Sequence, residues 1–237
     1  MILSNPRADP GWWARPLVTA LVNAGYQALT FVHSADGPAP AAVAALLDHL
    51  GGPPVRLLGW SQGAAIAQEA ALLRPLRIVG AALIAPYGRQ NSIDRVLQSA
   101  WQRLDASDAS LDPVRLALLL LTSYPPALLS DDAFLDHLLP NLQAWSADTN
   151  PAAAAQAREF IETHRDRLAA LADIRVPCLV MGFAQDTDTF AARAREVAAA
   201  IPHSRYLELP GAGHLTPVTH PDQVIAPVLA FFSELDA

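Results

Sequence analysis

The sequence has 237 residues, of which 52% are hydrophobic and 16% are charged, a composition that allows a large buried core and excludes a disordered chain. Its formal net charge is −7 and it has no basic run, which argues against nucleic acid as a partner. The single cysteine, Cys178, lies in an apolar run, so a disulfide framework or a cysteine-based zinc site within one chain is excluded.

Neither a membrane anchor nor a leader is indicated by the apolar segments. The most apolar stretch, residues 116–122, is far shorter than the roughly 20 residues that a membrane-spanning helix needs. The first residues lack a basic region followed by a long apolar run, so we expect no signal peptide. We therefore expect a cytoplasmic protein that has no membrane partner.

Short apolar runs alternate with alanine- and leucine-rich helical runs, which is typical of βαβ units and a parallel sheet. The first part of the chain predicts strands at residues 1–3, 26–33, 55–60 and 77–86 and helices at 12–25, 40–51 and 61–74. The last part predicts strands at 178–183 and 205–209, a helix near 189–201 and a final helix from Pro221.

Residues 89–172, called the middle segment below, contain helical runs punctuated by prolines but no strand-like run. This pattern predicts a helical lid inserted between two strands, with residues 1–88 and 173–237 forming the core domain. The aromatic residues Trp101, Tyr124 and Trp145 belong to the middle segment. We expect them to pack within the lid rather than contact substrate.

The run Gly59-Trp60-Ser61-Gln62-Gly63 stands between a predicted buried strand and a predicted helix. A serine that merely starts a helix is common, because serine is a favoured N-cap residue. Here, however, a glycine two residues before Ser61 and another two residues after it permit a sharp turn that holds a hydroxyl at the tip of a strand. The context favours a nucleophile elbow.

A serine nucleophile needs a base, and seven histidines are candidates. His214 lies in a glycine-rich loop after the last predicted strand, from which it can reach a neighbouring turn. His33, at the end of a strand, is the alternative. We expect the remaining histidines to be structural or solvated, and these are His49, His137, His164, His203 and His220.

The base in turn needs a carboxylate that orients it. Asp186 follows directly on the strand 178–183, and Asp188 two residues later is the fallback. A carboxylate at a strand end can point along the same sheet edge as Ser61 and His214. The order serine, aspartate, histidine along the chain is that of one particular fold.

With these motifs in this order, the chain resembles the α/β-hydrolases over essentially its whole length. The elbow lies in "GWSQG", the acid strand in residues 174–186 ("IRVPCLVMGFAQD"), and the histidine loop with the final helix in residues 209–224. The resemblance implies a mostly parallel sheet of about six strands, lacking the family's N-terminal strand pair, with an inserted helical lid. It is nearest to small hydrolase-like enzymes of bacterial polyketide and other natural-product pathways.

The resemblance also implies an oxyanion hole built from the backbone N–H of Gln62 and a second N–H after an early strand. There the family's His-Gly is replaced by Ser4-Asn5 and then Pro6, which has no N–H. Loss of one donor would cost about 3 kcal/mol of transition-state stabilisation. The Arg7 N–H or the Ser4 or Asn5 side chain could replace it, or the reaction needs no complete hole.

Three functions stay open at this point. The serine, histidine and aspartate predict hydrolysis of a small, neutral, largely apolar ester or acylated metabolite. The departure at Pro6 supports the alternative, a lyase or cyclase, for example one that eliminates acetate from an acetylated polyketide or tetronate intermediate; hydrolysis remains the first choice. A non-catalytic binding protein would not need all three residues. We expect no metal or organic cofactor, since histidines and carboxylates are not clustered at ligand spacing.

Overall fold

The computed structural model describes residues 1–3, 14–31, 39–107, 111–146, 160 and 166–236. Within them, six parallel strands form one sheet in the order β2-β1-β3-β4-β5-β6. The strands are β1 (Ile2–Leu3), β2 (Thr30–Phe31), β3 (Val55–Trp60), β4 (Ile78–Ile84), β5 (Cys178–Phe183) and β6 (Ser204–Leu209). The prediction of a parallel sheet with helices is confirmed.

Helices connect the strands and cover both faces of the sheet. Those of the core are α1 (Arg15–Asn23), α2 (Ala39–Leu50), α3 (Gln62–Leu73), α9 (Ala191–Ala200), α10 (Thr216–Thr219) and α11 (Pro221–Glu234). Those of the middle segment are α4 (Ser92–Asp105), α5 (Asp112–Ser123), α6 (Pro126–Leu129), α7 (Asp132–Ser146) and α8 (Leu168–Leu171).

The central strands are buried on both faces, and their side chains alternate between two apolar clusters. On β3 and β5, Leu58 and Met181 face the cluster under α1 and α11. Leu57 and Val180 face the cluster under α2, α3 and α9. These strands are therefore mainly apolar, as the sequence predicted, because little of them meets water; the exception is Arg56 near the start of β3, which pairs with Asp236.

The strand predicted at residues 26–33 is shorter than expected. Among the described residues it is limited to β2, which pairs with β1 through Ile2–Thr30 and Leu3–Phe31. Tyr26 lies outside the sheet, and its ring packs edge-on against Phe232 of α11 at a centroid distance of 6.2 Å. At the sheet edge a strand needs a neighbour to pair with, and the described part of β1 offers only two residues.

The described residues of the middle segment are helical, as the sequence predicted, and contain no strand. Its helix α4 begins with a capping box, in which Asn91 accepts from the backbone N–H of Asp94 and Asp94 accepts from that of Asn91. Its last helix, α8, places Leu171 fully inside the core cluster of α3 and α9. That the segment acts as a lid stays a prediction.

Among the helices that the structure describes, none is both long enough and apolar enough to cross a bilayer.

Cys178 is buried in the sheet, and burial raises the pKa of its thiol to about 12, in line with a packing role.

Candidate active site

The turn between β3 and α3 holds Ser61 in a strained conformation. Its φ is 56° and its ψ is −119°, values that cost a residue other than glycine about 1–3 kcal/mol. The Ser61 N–H donates to the Ile84 carbonyl of β4 at 2.8 Å, and the Ser61 carbonyl accepts from Ala64 N–H at 2.9 Å. The sheet therefore fixes one side of the residue and the helix the other, which keeps its hydroxyl at the strand tip.

Gly59 is required by the close approach of helix and strand. A Cβ on Gly59 would overlap the backbone of Gly63 and Ala64 in the first turn of α3. The sequence indicated Gly59 from crowding in the turn, and the atoms that crowd it belong to the first turn of α3. Trp60, between Gly59 and Ser61, is buried and its ring lies 5.5 Å from the ring of His214, centroid to centroid.

The loops that follow β5 and β6 are held together by their backbones. Ala184 N–H donates to the Leu209 carbonyl at 3.1 Å, and Gln185 N–H donates to the Ala212 carbonyl at 2.8 Å. These bonds continue the pairing of β5 and β6 beyond the strands. They place the loop with Asp186 next to the loop with His214.

Three residues that are far apart in the sequence meet at this edge of the sheet. The Nδ1–H of His214 donates to Asp186 Oδ2 at 2.8 Å, and Nε2 lies 3.1 Å from Ser61 Oγ. Asp186 and His214 are buried, whereas Ser61 is half-buried. This is the geometry that a serine nucleophile, a general base and an orienting carboxylate require.

Asp186 is held by its own loop. Its Oδ1 accepts the backbone N–H groups of Asp188 at 2.9 Å and Thr189 at 2.8 Å, which leaves Oδ2 for His214. The carboxylate therefore has fixed partners on both oxygens. Asp186, and not the fallback Asp188, contacts the Nδ1 side of the imidazole.

Asp188 lies on the opposite side of the same ring. Its Oδ2 is 3.2 Å from His214 Nε2, the nitrogen that also contacts Ser61. Burial alone would lower the pKa of His214, but the charges of Asp186 and Asp188 outweigh it and raise that pKa to about 9. The two carboxylates therefore make the imidazole a stronger base than an ordinary histidine and favour its protonated form.

The end of helix α5 touches both of these loops. Thr187, between the two aspartates, donates its hydroxyl to the Leu121 and Thr122 carbonyls, each at 3.1 Å. Leu215 N–H, next to His214, donates to the Ser123 carbonyl at 3.1 Å. The middle segment therefore braces the loops that carry Asp186 and His214, using carbonyls that have no partner within their helix.

The first part of the expected oxyanion hole lies beside Ser61. Gln62 is the first residue of α3, where backbone N–H groups point out of the positive end of the helix. Pro6 and Arg7, with Ser4 and Asn5, lie outside the described residues. Of the two predicted oxyanion-hole donors, the described residues therefore include only Gln62.

The other predicted histidines do not join this group. His49, His137, His203 and His220 are exposed, and His220 precedes the start of α11 as expected. His33 and His164 lie outside the described residues, as does the side chain of Trp145. Tyr124 is buried against Phe134, with ring centroids 5.9 Å apart, which agrees with packing inside the middle segment.

Within the part of the chain that the structure describes, no group of three or more His, Cys, Asp or Glu side chains is arranged to hold a metal ion.

Residues 8–227 match the model of the alpha/beta hydrolase family, and this range is most of the chain. The chain belongs to this family.

This alpha/beta hydrolase is similar to a Mycobacterium tuberculosis protein with the provisional name non-heme bromoperoxidase BpoC. The two are 32% identical over 237 residues, which cover 95% of this chain and 90% of that protein. The solved structure of Rv0554 from Mycobacterium tuberculosis matches with a TM-score of 0.88 at 30% identity, over all of this chain and 90% of that one.

A second relative is the polyketide synthase ThaQ of Burkholderia thailandensis. It is 30% identical over 195 residues, which are 79% of this chain but 9% of that much longer protein. The alpha/beta hydrolase unit of this chain thus has a counterpart in a polyketide-forming protein.

Sequence reasoning missed two features of this alpha/beta hydrolase site. Ala85, after β4, has a φ of 46° and donates its N–H to the Met181 carbonyl at 2.8 Å, so a second strained turn lies beside that of Ser61. Thr187 joins the acid loop to α5. No local sequence pattern indicates either feature.

Proposed function

We propose that the chain is a serine hydrolase that cleaves a small, neutral, largely apolar carboxylic ester. The proposal rests on the two hydrogen bonds of the His214 ring, which are 2.8 Å to Asp186 and 3.1 Å to Ser61. Neutral Nε2 takes the Ser61 proton as Oγ attacks the ester carbonyl. The resulting imidazolium is stabilised by Asp186 and then gives the proton to the departing alkoxide.

The second half of the reaction reverses these roles. His214 takes a proton from water, the hydroxide attacks the acyl-serine, and Ser61 recovers its proton as the acid leaves. The Gln62 N–H at the start of α3 supports the proposal, because it is a suitable donor to the tetrahedral oxyanion in both halves.

An apolar substrate is supported by the helices nearest to the site. Leu120, Leu128, Phe134 and Leu138 of the middle segment pack as partly buried residues against the cluster that contains Tyr124 and Leu215. A site roofed by such helices favours neutral, apolar acyl or alkyl groups over charged ones. We propose a small molecule, rather than a nucleic acid or a membrane, as the partner.

The test compares the wild-type protein with Ser61→Ala. We expect the wild type to release nitrophenol from short-chain nitrophenyl esters and to gain the mass of a fluorophosphonate probe on Ser61. We expect Ser61→Ala to do neither, while its far-UV circular dichroism and melting temperature stay those of the wild type. Equal ester turnover by both proteins would rule out the proposal.

A second candidate is a carbon–oxygen lyase, favoured by the carboxylate of Asp188 at Nε2 and by the similarity to ThaQ. Here His214 would remove a proton from the carbon next to a carbonyl, a double bond would form, and the acyloxy group at the β carbon would leave as a carboxylate. Reactions in ¹⁸O-labelled water distinguish the two functions. Hydrolysis through an acyl-serine puts the label into the released acid, whereas elimination does not.

The name of the Mycobacterium tuberculosis relative points to one more assay. If hydrogen peroxide replaces water in the second half-reaction, the acyl-serine yields a peracid, which can oxidise bromide. Bromination that depends on peroxide, on an acyl donor and on Ser61 would therefore extend the proposed hydrolase function.

A further inference from the structure

We propose that Asp188 is a positioning residue, which competes with Ser61 for Nε2 of His214 and thereby raises the pH at which His214 can activate the serine. The inference rests on the proposed role of His214 as the base. It assigns Asp188 a task different from that of Asp186, which holds the opposite nitrogen of the ring.

The competition follows from the two distances at one atom. Nε2 lies 3.1 Å from Ser61 Oγ and 3.2 Å from Asp188 Oδ2, yet it carries either one proton or one lone pair. When the ring is protonated, its positive charge attracts the Asp188 carboxylate more strongly than the neutral Ser61 hydroxyl. When the ring is neutral, its lone pair accepts the Ser61 hydroxyl and repels the carboxylate. One proton therefore decides which partner Nε2 engages.

Asp188 is held in this place by its neighbours in the chain. Its backbone N–H donates to Asp186 Oδ1 at 2.9 Å, and the preceding Thr187 is bound through its hydroxyl to the end of α5. The side chain is 36% exposed, so water reaches the carboxylate, whereas the His214 side chain is only 8% exposed. A substrate that enters beside Ser61 would meet Asp188 as a direct neighbour.

The charged and titratable groups around this pair come from four elements. His214 faces Asp186 and Asp188 from the loop after β5, and Asp188 also interacts with Asp94 of α4. Partial burial raises the pKa of Asp188, the His214 charge lowers it, and the charges of Asp186 and Asp94 raise it. In the loop after β4, burial raises the pKa of Tyr87, and the charges of Asp188 and Asp94 raise it further. Negative charge thus surrounds the imidazolium and favours its protonated form.

The experiment measures the titration of His214 and the reactivity of Ser61 separately. Nitrogen-15 NMR of labelled protein follows the His214 ring from pH 5 to 10, and a fluorophosphonate probe measures the labelling rate of Ser61 over the same range. The variants are Asp188→Asn, which keeps shape and removes charge, and Asp173→Asn. Asp173 is exposed and pairs loosely with Arg175, so it controls for the loss of one negative charge.

We expect Asp188→Asn to lower the midpoint of both titrations by about one pH unit or more, the effect of removing an opposite charge at this distance. Labelling at pH 7 should therefore rise several-fold over the wild type, while labelling at pH 10 stays equal or falls. Asp173→Asn should follow the wild type at every pH.

Coincident midpoints in Asp188→Asn and the wild type would overturn the inference, as would reduced labelling at all pH values with no change in the His214 titration. If Asp188→Asn melts too early to be measured, Asp188→Ser provides the same comparison. Failure of the hydrolase function is recognised separately: the wild type would not label at any pH, while the NMR titration would still test Asp188.

Discussion

Replacing Gly59 with alanine would place a methyl group where the elbow has no space for it. An ideal Cβ on Gly59 would lie 2.3 Å from the Gly63 carbonyl oxygen, 2.5 Å from the Gly63 carbonyl carbon and 2.7 Å from the Ala64 Cα. These are backbone atoms, so the first turn of α3 must move by about 1 Å to restore ordinary contact distances. We expect a loss of about 3 kcal/mol in the free energy of unfolding.

Because Ser61 moves with this turn, the labelling rate with a fluorophosphonate should fall about 10²-fold. Urea unfolding followed by circular dichroism and the labelling rate at pH 9 measure the two effects. The matched control is Gly80→Ala on neighbouring β4, where the new Cβ would lie 2.6 Å from the end of the Leu235 side chain and 3.1 Å from the Pro177 carbonyl oxygen. That side chain can turn away, so labelling should not change. A Gly59→Ala protein with the stability and labelling rate of Gly80→Ala would refute the reasoning.

Three further predictions concern the surroundings of the site. Because the pKa of His214 is raised to about 9, the difference in unfolding free energy between the wild type and His214→Gln should fall by about 3 kcal/mol as the pH rises from 6.5 to 9. Urea unfolding at several pH values measures this change, and a difference that does not vary with pH contradicts it. Thr187→Val should lose about 1 kcal/mol and label more slowly, whereas Thr219→Val, whose hydroxyl bonds a carbonyl at the start of its own short helix, should label normally. Asn91→Ala should cost about 1 kcal/mol in urea unfolding through loss of the α4 capping box, and an unchanged free energy would show that the cap contributes nothing.

The central strands β3, β4 and β5 were predictable because each is a short, mainly apolar run with helices before and after it. The runs at Val55–Trp60 and Cys178–Phe183 coincide with β3 and β5, which are buried on both faces. Prediction failed at residues 26–29, where Tyr26 and its neighbours are β-prone but have no strand to pair with in the described structure. Local preference cannot report whether a pairing partner is present.

The residues of the candidate site were also indicated by local sequence patterns. A glycine pair around a serine, an aspartate after a strand and a histidine in a glycine-rich loop are each visible locally. Their contacts are not visible, since Ser61 and His214 are 153 residues apart in the sequence. The helical character of the middle segment was likewise clear, yet nothing local indicated that α5 would bind the loops of Asp186 and His214.

By itself, the sequence determined that Ser61, Asp186 and His214 stand at the ends of strands. Since the carboxyl ends of parallel strands share one edge of a sheet, this was enough to bring them to one place. Only the tertiary structure decided which aspartate faces which nitrogen of the ring. That choice depends on the backbone N–H groups that bind the Asp186 carboxylate and on the hydrogen bonds that join its loop to the next loop and to α5. These bonds fix atomic positions to within tenths of an ångström. A residue pattern does not encode positions at that precision.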